Sequence, residues 1–347
     1  MATSMRITAK QTQREERDMK KIMALDIAML LAFILLFFVL CTAARADTNP
    51  PLNPVSPSAI SGAFSSLMGE SFQTDLATGA ATLNVPIVVP PGRKNMQPNI
   101  TLSYSSGNGN GICGMGWAVP VSAIQRSTKK GVPRYDTLQD ITAGSQELVS
   151  IGGGEFRAKI ESAFTKYVYE QASDTWLAYD KTGTEYQFGC TAASRAYNPD
   201  NQAQVFAWYL DKVEDVYGNA VTYSYEKEDD SLYIKNISYT SNTNYGFPLN
   251  ADKCVEFIYQ AGERPDKIYS NRCGWETVIS RRLEAIEISV DYNKDESWTQ
   301  DEVIWTYNLA YIMSADTDRS LLASIQLEDA DGNTLPAKTF TYQALEP

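Results

Sequence analysis

In the stretch "EVIWTYNLAY", Val303, Trp305, Tyr307, Leu309 and Tyr311 fall on one side of an extended chain, with Thr306 and Asn308 on the other. "IEISVDY" repeats the pattern with Ile286, Ile288, Val290 and Tyr292 against Glu287, Ser289 and Asp291, and "NAVTYSYE" does so with Val221, Tyr223 and Tyr225. Successive side chains point to opposite faces of a strand, so a period of two rich in Tyr, Thr, Val and Ile specifies a strand buried on one face. Similar segments recur near 97–105, 154–160, 166–170, 175–180, 183–188, 206–213, 232–240, 254–260, 320–328 and 336–343. Beyond residue 61 no segment holds a 3.6-residue period long enough for a helix. The expected fold is all-β, a sheet built largely from antiparallel hairpins.

The turns between these segments have their own pattern. "YDKTGTEYQFG" (179–189), "EDVYGNAVTYSY" (214–225) and "EDADGNTLPAKTFTY" (328–342) each place an Asp three residues before a Gly, then Thr or Asn, then a strand. In the second copy these are Asp215, Gly218 and Asn219. The Asp side chain can bond the backbone ahead of it while Gly supplies a positive φ, so the next strand starts in register. Three uneven copies are too few for a regular solenoid.

A glycine run tests this reading. "SYSSGNGNGICGMGW" (103–117) contains a literal G-x-G-x-x-G at Gly109, Gly111 and Gly114. A dinucleotide site needs a helix N-terminus after that pattern, whose free N–H groups and dipole hold the pyrophosphate. Here the glycines lead instead into "MGWAVPVSAIQRS", with Pro120 and β-branched alternation, so the run is read as a turn between strands. Gly116 belongs to that turn, and Trp117 packs beside it.

Composition narrows the chemistry. The chain has no histidine, which excludes a Ser-His-Asp triad, a Cys-His pair and any His-ligated metal. Basic residues Arg14, Arg17, Lys20 and Lys21 precede "IMALDIAMLLAFILLFFVLCTA", and "ARA" (Ala44–Ala46) offers a cleavage site. This predicts a signal peptide over 1–46, Sec-dependent secretion and a chain beginning at Asp47. The alternative, an uncleaved anchor, would be the single membrane contact. Residues 47–61 form a proline-rich linker, and 62–347 the β domain. Of 30 basic and 42 acidic side chains, seven and four lie in the first 46 residues, leaving a net of −15 beyond. Such a surface repels phosphate backbones, so nucleic acid is not expected as a partner. Cys113, Cys190, Cys254 and Cys273 remain after cleavage and permit two disulfides in any of three pairings, or four free thiols.

Three constellations could carry chemistry. Glu226 and Glu228 in "YEKEDD" have the spacing of an ADP-ribosyltransferase pair, but they sit in a charged run at a strand exit that reads as a solvated turn. In "DYNKDESWTQDE", Asp291, Asn293, Asp295, Ser297 and Glu302 take positions 1, 3, 5, 7 and 12 of a calcium loop. Glu296 stands where that loop needs glycine, and strands flank it, so a polar hairpin tip is the plainer reading and Ca²⁺ the one candidate cofactor. Twenty tyrosines and six tryptophans could stack on sugars in a carbohydrate- or surface-binding module, although at alternate strand positions they serve more often as core.

Read as β-structure, several blocks together resemble one family. "GAATLNVPIVVPPGRKNMQPNITLSYSSG" leads into "GNGNGICGMGWAVPVSAIQRSTKKGVPRYD", followed by "WYLDKVEDVYGNAVTYSYE", "ERPDK", "RRLEAIEI" and "RSLLASIQL". In this order, over about 62–345, they are similar to the virulence-plasmid B protein and insecticidal toxin complex B-component family. The Asp-x-x-Gly-Asn turns also resemble the YD repeats of RHS proteins. The resemblance implies the first part of a hollow β-shell, with protein partners of the RHS or toxin-complex type and a capacity for self-association. In the virulence-plasmid protein the same region precedes a separate ADP-ribosyltransferase domain. Pro347 comes before any such region, so the expected role is structural and non-enzymatic, with a remnant of such a transferase as an alternative.

Overall fold

Strands carry the fold, as the alternation requires. The computed structural model describes residues 73–74, 79–244, 249–293 and 302–343. The expected signal peptide and linker lie outside them. Among the described residues the one helical element is a 3₁₀ turn, Arg93–Asn95.

Eight antiparallel strands close on themselves. In ring order they are Ala123–Arg126, Ile141–Ala143, Gln146–Gly152, Glu155–Ala158, Lys166–Glu170, Thr175–Tyr179, Glu185–Phe188 and Asn201–Glu214. The long last strand completes the ring, because residues 207–209 pair with 123–125 while residues 210–214 pair with 185–188. Closure removes the open edges that a flat sheet of this size would expose. Phe156, Trp176 and Trp208 fill the interior, with ring centroids 4.9 Å apart for the first pair and 6.0 Å for the second. Arg126 is buried with them, donating from Nε to the Val205 carbonyl at 2.8 Å and from Nη1 to the Arg134 and Thr137 carbonyls. Burial lowers the pKa of this guanidinium.

From Asn201–Glu214 the sheet runs on as a meander. Asn219–Glu228, Ser231–Asn242, Lys253–Tyr259, Leu283–Val290, Val303–Met313 and Ser320–Asp329 follow in order, ending at the short Lys338–Thr339. The tightest hairpin of this meander turns on Asp229 and Asp230, both at positive φ, between Glu228 and Ser231. That is the two-residue loop whose twist suits paired strands. The expected strand at 336–343 shrinks to two residues, since Pro336 offers no N–H to a ladder.

A second sheet of four strands, Gln73–Thr74, Ala81–Ile87, Ile100–Ser105 and Trp117–Ala118, packs on one face of the meander. Val85, Ile87, Ile100 and Leu102 join one buried cluster with Ile237, Val255, Ile286, Ile288 and Leu309. Large buried aromatics need partners for their polar ends. Tyr307 accepts from the Val88 N–H at 3.0 Å, Trp305 donates to the Val88 carbonyl at 3.2 Å, and Tyr239 donates to the Pro90 carbonyl at 2.9 Å.

Candidate functional site

The glycine run forms a small antiparallel hairpin, Asn110–Gly111 with Gly114–Met115, and a strand follows it rather than a helix. Two of its glycines are sterically required. Gly114 has φ +87°, and a Cβ there would stand 2.7 Å from the Ser320 carbonyl oxygen. Gly116 has φ +81°, and its Cβ would meet the Tyr104 ring at 2.5 Å. Gly111 is tight only against the Trp117 carbonyl, and Gly109 faces open space. Trp117 is buried against Phe340, centroids 4.7 Å apart, and donates to the Tyr342 hydroxyl at 2.9 Å.

Beneath this hairpin lies a buried polar node. Arg264 and Asp266, both in "ERPDK", are fully buried side chains. Arg264 donates to both carboxylate oxygens, to the Gly111 carbonyl at 2.7 Å and to Asn110 Oδ1 at 3.1 Å. Asp266 accepts further from Asn110 Nδ2 at 2.7 Å and from both the N–H and the hydroxyl of Ser320, at 2.7 and 2.6 Å. Burial alone would raise this carboxyl, but its donors, Arg264 and Ser320 foremost, hold it well below the ordinary carboxylate range. Arg282 then donates to the Ser320 hydroxyl at 2.8 Å. The node thus ties the glycine hairpin to "ERPDK", "RRLEAIEI" and "RSLLASIQL". Sequence reasoning missed it, because Arg and Asp two positions apart look like a solvated pair. A second tie runs through "GVPRYD", where the Tyr135 hydroxyl donates to the Cys273 carbonyl at 2.5 Å and its ring packs on Trp275.

The three Asp-x-x-Gly turns share one geometry. Asp180, Asp215 and Asp329 each accept from the backbone N–H two and four residues ahead, at 2.8 to 3.1 Å. Gly183, Gly218 and Gly332 take φ of +85°, +79° and +80°. For Asp180 and Asp329, burial pulls upward on the carboxyl pKa, and the bonds from the turn outweigh it and lower it.

The other sequence candidates disperse. Glu226 and Glu228 are both held by Arg281, which reaches Glu226 at 2.7 Å and also pairs with Glu228. Of the calcium-loop residues, Asp295 and Ser297 lie outside the described residues; Asp291 and Glu302 are buried, and Asn293 is exposed. Among the described residues no group of three or more carboxylates or cysteines is placed to hold a metal ion. The two permitted disulfides do not form: Cys113, Cys190, Cys254 and Cys273 are free thiols. The three buried ones are each fixed by their own neighbourhood. Cys254 faces Ser238 across two strands, Cys273 donates to the Trp275 carbonyl at 3.3 Å, and Cys113 sits inside the glycine hairpin. Burial pushes the thiol of Cys254 up to about 11 and that of Cys113 up to about 12. Trp117, Trp176, Trp208, Tyr233, Tyr239 and Tyr307 are fully buried core rather than display.

With this geometry in place, comparison with known proteins is specific. The family model described as Salmonella virulence plasmid 65kDa B protein matches residues 75–152 and 151–302. The mono(ADP-ribosyl)transferase SpvB proteins of Salmonella choleraesuis and Salmonella typhimurium are each 25% identical over 190 residues, covering 46% of this chain and 32% of theirs. The chain therefore spans about a third of the length of the curated relatives it matches. Among solved structures, a TcdB2-TccC3-TEV crystal structure matches 80% of this chain with a TM-score of 0.69 at 22% identity, over 16% of its own length. The N-terminal domain of effector protein SpvB from Salmonella typhimurium strain LT2 matches 70% of this chain at TM-score 0.59 and 19% identity, over 98% of its length.

Proposed function

The chain belongs to the Salmonella virulence plasmid 65kDa B protein family, and from that premise we propose that it is a non-catalytic wall module of a secreted toxin system. It contributes a stretch of β-shell and contacts partner chains of the RHS or toxin-complex type. One observation carries the reading: the blocks that look like functional motifs are consumed in holding the fold. Asp266 has its carboxylate filled by Arg264, Asn110 and Ser320, buried away from any substrate. Glu226 and Glu228, the pair with transferase spacing, are bound by one arginine. A carboxylate committed in this way is poorly placed to orient a nicotinamide ribose or exchange a proton. The closed barrel and long meander supply a rigid wall, and the fold match to the TcdB2-TccC3 assembly supports that use. On this reading the transferase activity named for the relatives belongs to the part of them that this chain does not match, and export runs through residues 1–46.

The test is co-expression with an RHS-containing chain encoded beside it, followed by affinity capture and sizing. Stoichiometric co-elution is expected. A chain that ignores such partners, or that turns over NAD, sinks the proposal.

A further inference from the structure

The eight-stranded barrel is filled at one end and hollow at the other. Phe156, Trp176, Trp208 and Arg126 occupy the filled end. Towards the other end, Tyr167, Ala178 and Tyr186 lie opposite one another on adjacent strands, so a small side chain separates two tyrosines. Ala143 likewise stands opposite Ile124. A cavity of about 690 Å³ results, open to solvent between 120–122, 163–165 and 180–182. Its size lies within the range of ligand pockets, roughly 300–1,000 Å³.

The chemistry of its lining selects among ligands. Most of the wall is apolar, with Val121, Ala143, Ala178 and Phe188 in it, and Ser122, Thr165 and Thr182 add hydroxyls. At the rim the Asp180 carboxylate stays charged but has its lone pairs taken, accepting from the N–H groups of Thr182 and Thr184 and from the Tyr186 hydroxyl at 3.4 Å. A sugar would need free acceptors at that point. Lys181 differs: it lines the cavity, is exposed, and has no ion-pair partner among the described residues. Phe164 lies between the lining residues Ala163 and Thr165 and is 69% exposed. That side chain extends the apolar surface of the lining out to the mouth. Phe164 also adopts a φ of +57°, uncommon for an aromatic residue.

We infer that the barrel mouth binds a single-chain amphiphile with an anionic head, its tail between Ala143, Ala178 and Phe188 and its head beside Lys181. The proposal is independent of the shell role. Titration calorimetry of the full chain with octanoate, decanoate and decanol tests it. Affinity is expected to rise roughly fourfold per added methylene. Lys181→Gln should weaken decanoate by a few-fold and leave decanol unchanged. Ala178→Leu, which fills the cavity, should remove decanoate binding; Ala143→Val provides the same test if that variant fails to fold. Absence of decanoate binding overturns the inference, as does equal binding of decanoate and decanol, or decanoate binding that survives both alanine replacements. Binding of a peptide with a leucine carboxy-terminus, without binding of decanoate, overturns it in favour of a protein terminus.

Discussion

The Ser320 hydroxyl donates to Asp266 Oδ1 at 2.6 Å across 54 positions of chain. That bond joins the last long strand of the meander to a segment without regular structure, and Arg264 carries the connection on to the glycine hairpin. Removing one member of a buried, hydrogen-bonded ion pair leaves the other charge uncompensated, which costs about 3–5 kcal/mol. Asp266→Asn and Arg264→Met are each expected to destabilise by that order in urea melts, and the double variant by much less than the sum. Additive losses would show that the node does not act as a unit.

The pH dependence of stability should contain two opposed terms. The folded pKa of Asp266 is depressed, so its stabilisation is complete above the unfolded value near 4 and is lost as pH falls below it. Asp211 is the reverse case: burial raises its pKa despite bonds from Ser194, the Cys190 N–H and Thr191. Between the unfolded value and that raised value the native state binds the extra proton, so this contribution falls as pH rises. Urea midpoints followed from pH 7 to pH 3 should therefore drop less steeply in acid for Asp266→Asn than for wild type. Asp211→Asn should drop more steeply. Parallel curves for all three proteins would refute the assignment.

Within the glycine run the steric argument separates one position from the others. Gly114→Ala and Gly116→Ala should each cost at least about 1 kcal/mol, because both positive φ and a close neighbour oppose a Cβ. Gly109→Ala should stay within about 0.5 kcal/mol, having open space around it. Thermal melts of the three variants decide. If Gly116→Ala melted like wild type yet altered nucleotide binding, the run would be a ligand loop after all.

These cases show what was legible in the residues. Val303, Trp305, Tyr307 and Leu309 declared a strand because alternation is local, and the Asp215–Gly218 turn was readable because its bonds span four residues. Barrel closure was not readable. It depends on Ala207 meeting Gln125, some 80 residues earlier, while Phe188 meets Leu210, pairings set by tertiary packing. Arg264 and Asp266 were invisible for a related reason, since their burial comes from the hairpin and strand that cover them. The free thiols illustrate the same limit: an even cysteine count permits bridges, but strand register decides which sulfurs can approach.

Catalysis of NAD chemistry is not expected of this chain. Glu228→Gln and Arg281→Gln should leave NAD consumption at the buffer baseline, as in wild type. Each should shift stability by no more than about 1 kcal/mol, since all three side chains of the cluster are about a third exposed. An NAD glycohydrolase signal that disappears in Glu228→Gln would establish the alternative.

Assembly is where the architecture makes its most specific demand. One end of the large sheet is closed by the barrel, and at the other the last long strand, Ser320–Asp329, has only the two-residue Lys338–Thr339 beyond it. Lys338–Thr339 pairs with residues 324–325, and loop backbone covers most of the rest: the Leu335 and Phe340 N–H groups, the Asn333 carbonyl and the Glu328–Thr334 bridge, with the Tyr342 hydroxyl on the Leu322 carbonyl. Beside this edge Ile312 and Met313 are 52% and 43% exposed, opposite Leu321 and Ser320. An edge covered by loop rather than by a full strand, next to exposed apolar residues, can exchange that cover for another strand, and the net charge of −15 beyond residue 46 slows approach without preventing it. The purified chain is therefore expected to self-associate, or to capture an RHS-containing chain, through this edge. Ile312→Glu should weaken that association by about tenfold or more in light scattering and leave the melting temperature nearly unchanged. If wild type is strictly monomeric and binds no RHS partner, or if Ile312→Glu associates as strongly as wild type, the edge is not the interface.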